Sequence, residues 1–181
     1  MKDATSNIYK HSMKLERRTA SLYVQNTGCQ QCSPGYGWGP GVRDHFLLHH
    51  VLSGRGVYEC RDMRYELSAG DAFLVYPNTS VRYYAHEADP WEYVWVGFSG
   101  LEAEGCVERT DFMPEEPVLR NCGRELCERV EAVYGSYGLS AWEGLEMTAR
   151  LYSLLSYLAR TSRRQKQERG AALDCAQLAA E

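Results

Sequence analysis

The chain has 181 residues, 44% of them apolar, and a formal net charge of −4. That length suits one domain with a full core, and the acidic balance argues against the basic stripe with which a domain grips a phosphate backbone. No apolar run approaches the roughly 18 residues of a membrane span, and the opening "MKDATSNIYK" lacks the pattern of a signal peptide.

Residues 1–20 read as an N-terminal arm. Its "KLERR" stretch has mixed signs, as a solvated face does. From about 21 to 100 the chain reads as β-structure. "DHFLLHHVLSGRGVYEC" gives a strand, a glycine turn over Ser53, Gly54, Arg55 and Gly56, and a returning strand. "MRYEL" is a short strand. "SAGDAFLVYPNTSVRYYAH" places a turn at Ala69, Gly70 and Asp71, a strand over 72–76, a Pro-Asn turn, and a strand over 80–86. "ADP" then breaks the chain before a last strand over 91–99. Many short, closely spaced strands predict a sandwich or small barrel.

After residue 120 the period changes. Leu126, Val130, Val133 and Tyr137 recur at spacings of 4, 3 and 4, and so do Met147, Leu151, Leu154 and Leu158. Each set is one apolar face of a helix, predicted over about 124–137 and 141–160. Ser140 followed by Glu143 has the form of a capping box at the start of the second helix. The second helix is also apolar beside its main stripe, at Tyr152, Leu155 and Ala159. So broad a face implies two partners, and the stripe of Met147, Leu151, Leu154 and Leu158 is expected to form a homodimer seam. Residues 162–181 read as a charged linker followed by the start of a further helix.

The seven cysteines, at 29, 32, 60, 106, 122, 127 and 175, are odd in number and scattered. Without an export signal they read as reduced thiols in a cytoplasmic protein. Cys29-Gln30-Gln31-Cys32 is followed by Pro34, Gly35, Gly37, Gly39 and Pro40, so no helix dipole is available to activate a redox thiol there. No serine or cysteine sits in a nucleophile elbow, and no glycine-rich loop leads from a strand into a helix.

"GDAFLVYPNTSVRYYAHEADPWEYVWVGF", preceded in order by "RDHFLLHHVLSGRGVYEC", resembles the regulatory domain of AraC-family transcription factors. The likeness covers roughly residues 20–160. It implies a mainly β fold: a cupin-type double-stranded β-barrel (jelly roll) over residues 21–119, then a helical dimerisation hairpin over 120–161. In the family a helix-turn-helix DNA-binding module follows, and DNA would be contacted only through that module. "GCQQCSPGYGWGPGVRDHF" is similar to regulators of sugar operons of the raffinose or α-galactoside type, so a sugar effector is expected.

The rival reading is a metal-dependent cupin enzyme acting on a sugar or small polar metabolite. Metal ligands must converge within about 2 Å of one ion. His49 and His50 are adjacent on a strand and face opposite sides, while His45 and His49 share a side but stand about 13 Å apart. By comparison with metal cupins, the remaining ligand positions fall at Leu47 and near Val81, both apolar. Neither metal, cofactor nor catalytic residue is expected, and a purely structural dimerisation domain is the third reading.

Five aromatic rings lie between Tyr83 and Trp95. Tyr93 and Trp95 share a strand face, as do Val81 and Tyr83. Rings at such positions can simply fill a core. The resemblance implies instead that Tyr83, Tyr93 and Trp95 line the barrel interior and touch the effector. Indole and phenol faces stack on the C–H face of a pyranose. His49 is expected in the same cavity, with Gln31 and Ser33 as polar contacts from the entering strand and Arg43 at the rim.

Overall fold

The computed structural model describes residues 21–138, 140–165 and 167. The expected arm over 1–20, Cys175 and most of the segment after 162 lie outside these residues. Eight strands come first: β1 (Tyr23–Gln31), β2 (Gly37–Val42), β3 (Phe46–Ser53), β4 (Arg55–Cys60), β5 (Met63–Ser68), β6 (Ala72–Val75), β7 (Ser80–Ala85) and β8 (Glu92–Ser99). A short α1 (Ala103–Val107), the two-residue β9 (Val118–Leu119), α2 (Gly123–Gly135) and α3 (Ala141–Thr161) follow.

The strands form two antiparallel sheets, ordered β1-β8-β3-β6-β9 and β2-β7-β4-β5. The larger sheet is covered on both faces, so β3 is buried without a break from Phe46 to Val51, its two histidines included. Alternation sorts its side chains. Leu47, Val51, Phe73 and Tyr93 face the interior between the sheets, together with Tyr58 and Trp91. Phe46, Leu48, Leu74, Val94, Val96 and Phe98 face the helices and pack with Leu126, Val130 and Val133. Trp91 is fully buried and lies against Gly56, where a side chain would meet the indole ring at 2.3 Å. The second glycine of the "SGRG" turn therefore makes room for an aromatic ring.

Asp71, in the turn between β5 and β6, ties the barrel to the segment entering α2. Its carboxylate accepts from the backbone N–H of Ser68 at 3.0 Å and of Asn121 at 3.1 Å, and pairs with Arg120 at 2.8 Å. At the start of α3 the Glu143 carboxylate accepts from the Ser140 N–H at 2.7 Å, within the expected capping box. Asp111 receives the Ser162 hydroxyl at 2.7 Å and the Arg163 N–H at 3.0 Å just past the end of α3.

The predicted dimer seam needs correction. Met147, Leu151, Leu154 and Leu158 are all buried within this one chain, in the core shared by the helices and the larger sheet. A 4-3-4 period identifies an apolar stripe without saying what covers it, and here the chain's own barrel and α2 cover it. The large apolar side chains left exposed among the described residues of α3 are Trp142, Leu145 and Tyr152, the first two about two-thirds exposed (66% and 67%).

Candidate ligand-binding site

A cavity of ≈ 240 Å³ lies inside the barrel. Its aromatic wall comes from three strands: Trp38 on β2, Tyr83 on β7, and Tyr93 and Trp95 on β8. Leu47 and His49 of β3 form the back, and β1 contributes Asn26, Thr27 and Gln30. Arg43 and Tyr36 enter from loops. Of the side chains expected here, Tyr83, Tyr93, Trp95, His49 and Arg43 line the cavity. Gln31 and Ser33 do not. Gln30 is the β1 residue paired with Tyr93 and turned inward, so Gln31 points out to solvent. Ser33 falls beyond the end of β1, in the loop before β2.

The rings hold one another in place. The His49 imidazole stacks on Phe73 at 4.4 Å between centroids and meets Tyr93 edge-on at 5.1 Å. Trp38 stacks on Tyr83 at 5.5 Å, and the Arg43 guanidinium lies 3.9 Å from the Trp38 ring centroid, in cation–π contact. The Trp95 indole N–H is already engaged within the protein. It donates to Asn26 Oδ1 at 3.1 Å. Asn26 Nδ2 meets His45 Nε2 at 3.0 Å, and His45 Nδ1 meets Asp44 at 2.7 Å. Likewise the Tyr93 hydroxyl donates to Gln30 Oε1 at 3.2 Å. Trp95 therefore offers its ring face, while its polar edge serves the frame.

Three lining side chains carry buried polar atoms with no partner in the protein: Gln30 Nε2, Arg43 Nε and His49 Nδ1. Buried polar atoms are normally paired, and each unpaired one costs about 1–3 kcal/mol. All three belong to side chains that line the one cavity. Burial, reinforced by the positive charge of Arg43, lowers the His49 pKa to about 3, so the imidazole is neutral near pH 7. Burial raises the phenols of Tyr83 and Tyr93 above their ordinary range. Arg43 is thus the charged group of the lining at neutral pH.

The same features give no support to bond-making chemistry. Burial pushes the nearby Cys32 thiol up to about 11, away from a reactive thiolate. Cys29 packs toward the helices and Cys32 inside the barrel. Among the described residues no group of three or more His, Cys, Asp or Glu side chains could hold a metal ion. Leu47 and Val81 are buried apolar residues of the interior.

Sequence reasoning missed Asn26, Gln30, Tyr36 and Trp38. Trp38 had a signal, an aromatic ring isolated among the glycines of "GYGWGPG". Asn26 had none, because a register shift in β1 between Val24 and Asn26 breaks the alternation that would have placed it.

Residues 24–169 match the model of the AraC-like ligand binding domain. The chain belongs to this AraC-like family. It is 29% identical over 154 residues to the Msm operon regulatory protein of Streptococcus mutans, a match covering 84% of this chain and 54% of that one. It is 35% identical over 80 residues to the raffinose operon transcriptional regulatory protein RafR of Pediococcus pentosaceus, covering 42% of this chain and 29% of that protein. It is 26% identical over 106 residues to the lactose operon transcription activator of Staphylococcus xylosus, covering 59% and 38%. The AraC-like chain therefore spans about half the length of the Msm protein and less of the other two. No helix among its described residues is long and apolar enough to cross a membrane.

Proposed function

We propose that this chain is the effector-sensing and dimerising part of a cytoplasmic AraC-type transcription regulator, that it is not an enzyme, and that its effector is a sugar. The observation that carries this reading is the interior cavity: aromatic faces on one side and three unpaired polar atoms among its lining. A sugar presents matching surfaces, an apolar C–H face and a ring of hydroxyls that both donate and accept. The operon names of the relatives point the same way. In this reading the chain meets DNA only through a separate module, and two copies pair through the outer side of α3, where Trp142 and Leu145 stand exposed.

A thermal-shift screen of the chain against mono- and oligosaccharides tests the sugar. A ligand at about 100 times its Kd should add about 2.7 kcal/mol to stability, a rise of several degrees in Tm. The absence of a shift with every saccharide at millimolar concentration would reject the sugar reading.

A further inference from the structure

The aromatic cavity does not stand alone. An open cleft of ≈ 490 Å³ adjoins it, and the two share Asn26 and Arg43. The cleft is otherwise lined by Gln25, Val42, Asp44, His45 and Asn78. We infer that the cleft is a second saccharide subsite, and that the effector is a glycoside of at least two units, its terminal unit in the aromatic cavity and the next in the cleft. This inference rests on the sugar reading above.

Size is the first argument. The inner cavity alone falls below the roughly 300–1,000 Å³ of sites that enclose a drug-sized ligand. It takes one small ring, and the side of it formed by Asn26 and Arg43 also borders the cleft.

Chemistry is the second. The cleft has no Phe, Tyr or Trp in its lining, and so offers no stacking surface. One of its lining side chains, Gln25, carries a buried Oε1 without a hydrogen-bond partner. Gln25 sits at the irregularity in β1 between Val24 and Asn26, where two consecutive side chains escape strict alternation. One bulge thus supplies Asn26 to both spaces and Gln25 to the cleft. The inner orphans include the N–H groups of Gln30 and Arg43, whereas Gln25 Oε1 and the Asp44 carboxylate accept. Hydroxyls that accept inside and donate outside match this order.

The third argument is that the rim is held in shape. The Asn78 N–H donates to the Arg43 carbonyl at 2.7 Å, and Asp44 is fixed by His45, which is fixed by Asn26. The chain of contacts from Trp95 through Asn26 and His45 to Asp44 joins the inner ring wall to the outer cleft.

Calorimetric titration tests this with galactose and glucose on one side and melibiose, lactose and raffinose on the other. The chain should bind at least one glycoside about tenfold or more tighter than either monosaccharide. The variant Gln25→Ala/Asn78→Gly should lose that advantage while binding the monosaccharide as before; glycine keeps the positive φ of position 78. Monosaccharides binding as tightly as every glycoside would overturn the second subsite and leave the sugar reading intact. So would an undiminished advantage in the variant. If no saccharide binds at all, the sugar reading fails and this inference with it.

Discussion

A methyl group on Gly97 would meet Asn26 Nδ2 at 2.7 Å and its Oδ1 at 2.8 Å. The two residues pair across β1 and β8, so the missing side chain of one is the space occupied by the amide of the other. That amide receives the Trp95 indole N–H. Replacing Gly97 with Ala should therefore displace Asn26 and release Trp95, at about 1–3 kcal/mol in stability. Effector affinity should fall with it, although residue 97 is outside the cavity lining. Tryptophan fluorescence and calorimetry check this; unchanged Tm and affinity would contradict the packing argument.

Trp95 and Trp91 are four residues apart and should behave oppositely. Trp95 is only partly buried and faces the cavity, so Trp95→Ala should weaken effector binding by about 2 kcal/mol, roughly thirtyfold, with the fold retained. Trp91 is fully buried, and Trp91→Ala should cost about 3–5 kcal/mol of stability. Urea melts beside titrations of both variants separate the effects.

Leu151 and Leu154 are 0% exposed within the monomer. Changing both to Glu places two unpaired charges in the core, each a severe loss against a total stability of about 5–15 kcal/mol. The double variant should fail to fold, seen as lost near-UV circular dichroism. Trp142→Glu/Leu145→Glu should instead stay folded, and light scattering should report a monomer if the outer side of α3 is the seam. A folded Leu151→Glu/Leu154→Glu chain would refute the packing described for α3.

The His49 pKa, lowered by burial to about 3, makes the fold sensitive to acid. In the unfolded chain the imidazole titrates near 6.5. Between those values the unfolded state binds a proton that the native state refuses, so stability falls as pH drops, by up to about 1.4 kcal/mol per unit. His50, also lowered by burial, acts in the same direction. Urea midpoints from pH 7 to pH 4 should fall less steeply in His49→Gln than in the parent chain. Equal slopes would show that His49 does not carry the effect.

Much of this could be read beforehand, and the failures have physical causes. β3 through β8 were legible as short β-prone runs set apart by turns, most of them marked by Gly, Pro or Asn; only the Arg61-Asp62 turn between β4 and β5 lacks such a residue. β2, "GWGPGV", has too few side chains to show a period, and α1 and β9 are too short to show one. In the site, parity put Tyr93 and Trp95 on one strand face, and it was the family resemblance that turned that face, Tyr83 and His49 toward the cavity. Gln31 was misplaced because parity in β1 has no apolar anchor at its polar end, and the irregularity near Gln25 removes the count from the other side. The stripe on α3 was located correctly and assigned to the wrong partner, since periodicity records that a face is covered and not by whom.

The larger sheet is a party wall. Tyr93 belongs to the cavity and Val94 to the seat of the helices, and they are successive residues of one strand. Their Cα atoms are held about 3.8 Å apart by a rigid peptide unit. Any force on the Tyr93 backbone is therefore delivered to the foundation of α2 and α3 across a single peptide unit, with no hinge or spacer to absorb it.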